Sequence, residues 1–358
     1  MAGRLYLRML LQQDFRRQRI LRDRTNPFDI YDDVEMFSRF RFRRCDIISL
    51  VDMFGDELEH PLRRGGSLPP LMQVLVALRF YASGTFQQNI GDLFNVDRRT
   101  VGRIISRFSS VLSRRLGEYV HLPATQREAD EMIESFYQMA GFPNILGCID
   151  CTHVQISAPV VNEFEYVNRK GKHTINVQLV CNADMQITNC VVRWPGSVHD
   201  SRILRESNIF RNFEGPEKPL NGVFLGDGGY MLRPWLMTPI RNPAGRAQEN
   251  YNTAHCSTRS IIERTNGVLK RRWYCLHAEL RYDPAAACNI ILACIVLHNI
   301  ATTLRLPEPE PLDEEDPDDE DNENDGDEGE YHAHACERRR VLAGQMERNR
   351  LVQHYFNH

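Results

Sequence analysis

Ile145-Leu146-Gly147-Cys148-Ile149-Asp150 is an apolar run that ends in a carboxylate. It reads as a buried strand, and its reading sets the fold for everything around it. Downstream, His153 to Ser157 is extended in pattern. Ile175 to Asp184 and Ile187 to Trp194 are rich in Val, Ile and Thr and meet at Ala183-Asp184-Met185-Gln186, the pattern of a hairpin. A helix is predicted from near Asp200. Val223 to Gly226 is a second short strand followed at once by a carboxylate, Asp227, and Leu236 to Ile240 is a candidate fifth strand. Ser260 to Trp273 and Ala285 to Leu304 read as helices. Strands mixed with helices in this order predict an α/β fold, a mixed sheet flanked by helices.

Upstream, the pattern is helical. Leu71, Val74, Leu75 and Leu78 recur at helical spacing, Gly84 breaks the run, and Phe86 to Phe94 forms a short helix. After Asn95-Val96-Asp97 comes a helix from about Arg98 to Leu112, capped by Asp97 and buried through Val101, Ile104, Ile105 and Phe108. Short helix, tight turn and longer helix make a helix-turn-helix pattern. The last helix would offer Arg98, Arg99, Thr100 and Arg103 to a DNA groove, although three packed helices also serve as plain scaffold. The organisation predicted is an Arg-rich, partly helical arm at 1–60, the small helical domain at 61–125, the α/β domain at 126–305, a disordered acidic linker at 306–330, and a C-terminal helix within 331–358.

The formal net charge of -4 hides a division. Residues 308 to 330 carry 15 acidic side chains and no Lys or Arg; without them 33 acids face 44 bases, a balance of +11. A basic body suits a polyanion-binding protein. The longest apolar run, Ile290 to Leu297, is shorter than the roughly 20 residues that span a bilayer, so no membrane segment is expected. The N-terminus lacks the pattern of a secretory leader. Ten cysteines in a chain of 358 residues, several in apolar stretches, fit a reducing compartment. Cys148, Cys151 and His153 have no second ligand pair at zinc spacing, and alternate strand residues point to opposite faces, so zinc is not expected there.

Asp150 and Asp227 each follow a strand, and neighbouring strand ends lie side by side. Glu263, in Ile261-Ile262-Glu263-Arg264, is expected one turn into a helix and facing the sheet. Clustered carboxylates repel unless a cation offsets them, and hard Mg2+ or Mn2+ ions favour such oxygens. Two such ions can drive phosphodiester hydrolysis. Each acid also has an ordinary reading: Asp227 as a turn residue before two glycines, Glu263 as a first-turn acid, Asp200 as a helix cap.

Six segments, in order, then resemble one family. They are Gly147-Cys148-Ile149-Asp150-Cys151-Thr152-His153-Val154, Tyr166-Val167-Asn168-Arg169-Lys170-Gly171, Trp194 to Ser201, Leu225-Gly226-Asp227-Gly228-Gly229-Tyr230, Ile262-Glu263-Arg264-Thr265 and Leu297-His298-Asn299. With the helices before them, they span about residues 65–305 and resemble the PIF/Harbinger superfamily of DDE transposases, nearest its transposase-derived nuclease branch. The resemblance implies an RNase H-like fold and a DDE site at Asp150, Asp227 and Glu263 holding divalent metal, with Asp200 as a further ligand. It also implies DNA as substrate, and a Myb/SANT-like DNA-binding partner protein. Asn266 departs from the family, which often has an aromatic residue there. Arg169 and Lys170, and Lys270, Arg271 and Arg272, are candidate phosphate contacts. A nuclear location, with some cytoplasmic protein, and self-association are further expectations; Arg16-Arg17-Gln18-Arg19 and Arg338-Arg339-Arg340 are weak import signals.

Overall fold

The computed structural model describes residues 24–59, 68–215, 217–310 and 335–357. Residues 1–23 of the N-terminal arm, including the first basic run, and residues 311–330 of the acidic segment lie outside them. The helices are α1 (Asp33–Phe40), α2 (Arg44–Leu58), α3 (Pro70–Ser83), α4 (Gln87–Phe94), α5 (Arg98–Arg114), α6 (Leu116–Tyr119) and α7 (Gln126–Ala140). The sheet strands follow as β1 (Ile145–Gln155), β2 (Thr174–Cys181) and β3 (Ile187–Pro195). After them come α8 (Asp200–Arg205), α9 (Asn208–Phe213), β4 (Val223–Leu225), β5 (Leu236–Met237), α10 (Arg246–Arg272), α11 (Pro284–Thr303) and α12 (Ala335–Tyr355).

The five strands form one mixed sheet in the order β3-β2-β1-β4-β5. β1, β2 and β3 run antiparallel through the hairpin, where Asn182 closes a turn with Gln186 and Met185 takes a left-handed φ of 60°. β4 lies parallel to β1 on its other side, and β5 parallel to β4. The period-2 alternation splits the apolar residues between two faces. Ile145, Cys148, Val177, Leu179 and Cys181 pack with α10 and α11 in the larger core. Leu146, Ile149, Val180, Phe224 and Leu236 pack with Leu204, Ile209 and Phe213 of α8 and α9 in the smaller one. The architecture is α/β with helices on both faces, consistent with a DDE nuclease fold.

Three boundaries differ from the sequence reading. β1 does not stop at Asp150 but runs on to Gln155. The helix read from Ser260 begins at Arg246, because nothing in Arg246–Arg259 breaks it and Tyr251, His255 and Thr258 bury one face. The helices α7 and α9, whose buried faces are narrow, went unread. The helices read upstream are present: α4, the turn and α5 have the expected bounds within two residues, and the Asp97 carboxylate accepts from Arg99 N at 2.9 Å. They share the larger core with α11, so they pack on the α/β layer.

α11 corrects the expectation about apolar length. Its 20 residues carry no charge and are long and apolar enough to cross a membrane by composition alone, yet most of the helix is buried inside the protein. Its polar residues are used internally. Asn299 accepts from Ile187 N at 2.8 Å and donates to the carbonyls of Ile187 (2.7 Å) and Tyr119 (2.8 Å). His298 Nε2 bonds Met185 O at 2.8 Å. Asn299 thus ties β3 and α6 to the core helix. Replacing it by Ala strands three buried backbone groups. We expect Asn299→Ala to cost about 3 kcal/mol in urea unfolding; a loss below about 1 kcal/mol would mean that water replaces the amide.

Candidate functional site

The site forms where β4 ends and β1 continues. Cys148 is level with Leu225 in the parallel pairing. Two residues on along each chain stand Asp150, still in β1, and Asp227, in the turn beyond β4, close enough for the Asp227 charge to reach the Asp150 carboxyl. β4 has no residues beyond Leu225, which leaves the flank of β1 open at Asp150. Gly226 permits the exit: a Cβ there would meet the Tyr230 ring at 2.8 Å. The Asp227 carboxylate accepts from Gly229 N at 3.0 Å, which makes it a turn residue as well as a site acid.

α10 crosses this opening. Glu263 lies on its fifth turn rather than its first, so the helix dipole does not explain the acid. One turn earlier, Arg259 pairs with Glu263 through Nη2 and stands 3.9 Å from Asp150 Oδ1 through Nη1. Asn266, one turn after Glu263, donates from Nδ2 to Asp150 Oδ2 at 3.2 Å. Asp200 begins α8, but the N-cap is His199, whose side chain makes no capping bond. The Asp200 carboxylate instead accepts from Asn176 Nδ2 at 2.9 Å. Tyr230 Oη and Cys151 Sγ, 3.4 Å apart, complete the floor.

The electrostatics show the cost of this gathering. Burial pushes the Asp150 carboxyl up from 3.8 to about 8, and the charges of Asp227 and Asp200 add to the rise while Arg259 opposes it. Asp227 is also raised, by burial first and then by Asp200, again against Arg259. The charges of Asp227 and Asp200 thus reach Asp150, that of Asp200 reaches Asp227, and Arg259 is upheld by Asp150, Glu263 and Asp227. Among the described residues, no three acidic, His or Cys side chains close into a metal shell as they stand. The Arg259 guanidinium lies between Asp150 and Glu263.

The basic candidates separate. Arg98, Arg99 and Arg103 are exposed on α5. Arg98 and Arg99 also line a cavity of about 370 Å3 with Phe86, Glu279 and Arg281. Arg169 reaches His199 Nδ1 at 3.1 Å, next to Asp200, and so stands near the site with the neighbouring Lys170 exposed. Lys270 and Arg272 face inward at 6% and 2% exposure, and Arg272 Nη2 donates to Pro307 O at 3.1 Å. The expectation that they track a DNA backbone is corrected, because both side chains are covered, on different faces of α10. Arg271 is half-buried. Arg259 and Asn176 were missed. The i, i+4 spacing of Arg259 and Glu263 was readable, but a helix drawn from Ser260 excludes the arginine.

The fold is consistent with the class of DDE nucleases, and comparison with known proteins shows the family. The family described as DDE superfamily endonuclease matches residues 149–299. The HARBI1 protein of Bos taurus, whose name classes it as a nuclease, is 38% identical over 283 residues, 78% of this chain and 80% of the relative. HARBI1 of Homo sapiens is likewise 38% identical, with the same coverage of both chains. A protein named ALP1-like in Arabidopsis thaliana is 30% identical over 244 residues, 64% of this chain and 59% of that protein. No solved structure matches the chain. The chain belongs to the HARBI1 family of Harbinger transposase-derived, DDE-superfamily nucleases.

Asp150 has a consequence for stability. With its carboxyl at about 8 in the fold and near 4 when unfolded, it keeps a proton in the native state that the unfolded chain has lost. The native state binds more protons across that window, so stability falls as pH rises through it. Asp150→Asn mimics the protonated acid. In chelator, its stability advantage over the wild type is expected to grow from pH 5 to pH 8; a pH-independent difference would show that Asp150 is ionised throughout.

Proposed function

We propose that this protein is a divalent-metal-dependent DNA endonuclease of RNase H-like DDE type, with Asp150, Asp227 and Glu263 as its catalytic carboxylates and Asp200 as a fourth ligand. The observation that supports the reading is the gathering of charges where β4 ends beside β1: Asp227 and Asp200 act on Asp150, and Arg259 links Asp150 to Glu263. The donor set fits such a group: the acids are hard oxygen ligands, and burial first, then neighbouring acids, raises Asp150 and Asp227, a cost that a cation would offset. Bound Mg2+ or Mn2+ would supply Lewis-acid stabilisation of the leaving oxygen and lower the pKa of the attacking water.

The chain's own groups do the positioning. Asn266 orients Asp150, Asn176 orients Asp200, and Arg169 stands where it can meet a phosphate oxygen near His199. The membership of the family supports DNA as substrate. Arg98, Arg99, Thr100 and Arg103 on α5 are proposed to bind duplex in the manner of a helix-turn-helix, and Arg271 remains a candidate for the backbone. A nuclear site of action and a Myb/SANT-like partner protein follow from the resemblance alone.

Supercoiled plasmid with Mg2+ or Mn2+ tests the activity. The wild type is expected to nick it, and Asp227→Ala to lose at least about 100-fold in rate. Equal cutting by the variant would remove Asp227 from the assignment. The pairing of Arg259 with Glu263 and its approach to Asp150 favour one alternative, a DNA-binding or scaffold protein that no longer cuts. That reading gains if duplex is bound at low salt without nicking in either metal. Replacing Arg98, Arg99 and Arg103 by Ala is expected to flatten the salt dependence of duplex binding, by about one unit of slope for each phosphate they had neutralised.

A further inference from the structure

Arg259 is 11% exposed, and its guanidinium is committed to the acid cluster on two sides. A surface arginine that merely balances charge keeps most of its fork in water; this one is carried into the opening by α10 and its charge is upheld by Asp150, Glu263 and Asp227 against the cost of burial. Asn266 approaches the same carboxylate from the other direction. Its Nδ2 bonds Asp150 Oδ2, while its own Oδ1 is buried without a hydrogen-bond partner. The two Asp150 oxygens are thus divided between an amide and a guanidinium. Arg259 and Asn266 lie seven residues apart on one helix, which puts them two turns apart on one face with Glu263 between them.

We propose that Arg259 is an internal counter-cation that stabilises the carboxylate cluster before metal arrives and must release Glu263 for a divalent ion to bind, while Asn266 keeps Asp150 in position. The inference rests on the metal-dependent reading above. A guanidinium paired with Glu263 Oε1 and near Asp150 Oδ1 occupies lone pairs that a divalent cation would use, and the two cations repel at such range. Arg259 therefore competes with metal for the cluster. It acts through Asp150 and Glu263, as a positioning residue, and it accounts for the acids converging without forming a closed shell.

The test is Mn2+ titration of the full-length protein, reading free Mn2+ by its paramagnetic resonance signal, with thermal unfolding in chelator alongside. Arg259→Gln is expected to bind Mn2+ about tenfold more tightly than the wild type and to melt lower without metal. Arg259→Lys keeps the charge, folds where Gln fails, and is expected to stay within about threefold of the wild type. A merely structural arginine would leave affinity unchanged or weaken it, and either result for Arg259→Gln overturns the proposal. Asp150→Asn separates the two readings. If it abolishes Mn2+ binding while Arg259→Gln changes nothing, the metal site stands and this inference falls. If the wild type binds no Mn2+, both fall.

Discussion

Like charges brought together in a partly dry crevice repel, and the site of this protein is organised by that fact. Asp150 sits in β1, and Asp227 follows β4 in a turn closed by Gly229 N, just past the last β1–β4 pair at Cys148 and Leu225. Asp200 is held by Asn176 from β2, and Glu263 rides on α10. The backbone pairing is strong enough in sum to impose the cluster, and one arginine offsets part of its charge.

The rest of the fold supplies the frame. The sheet is covered on both faces, and α11 carries the larger core through an uncharged surface. Asn299 and His298 show how such a helix keeps polar groups: each is bonded to backbone of the β2–β3 hairpin. The upstream helices complete the same core. A DNA-reading role for α5 would place it on the body of the nuclease, without a linker between reader and cutter.

Much of the site was legible because its signals are local. A carboxylate at or just beyond a run of buried strand residues, repeated at Asp150 and Asp227, is visible wherever period and burial can be read. The hairpin at 182–186 announced itself by composition. Three things were not legible for physical reasons. That the segment ending at Asp150 and the extended one from His153 are a single strand depends on pairing with β2, whose ladder runs unbroken through Cys151 and Thr152. The start of α10 depends on tertiary burial of Tyr251 and His255, so a reading by period alone leaves Arg259 outside the helix. Lys270 and Arg272 look like solvent-facing cations in sequence, and only the packing of 306–307 and the core against α10 turns them inward.

The chain by itself determined the mixed α/β class and the family, and nominated the acids, because these rest on residue identity, period and motif order. Tertiary structure alone decided what surrounds the acids: Arg259 between Asp150 and Glu263, Asn266 on the far oxygen, Asn176 rather than a helix end on Asp200. Such contacts join residues up to 116 positions apart. Sequence patterns record which face a residue prefers, whereas the partner it meets there is set by how separate elements are brought to cross.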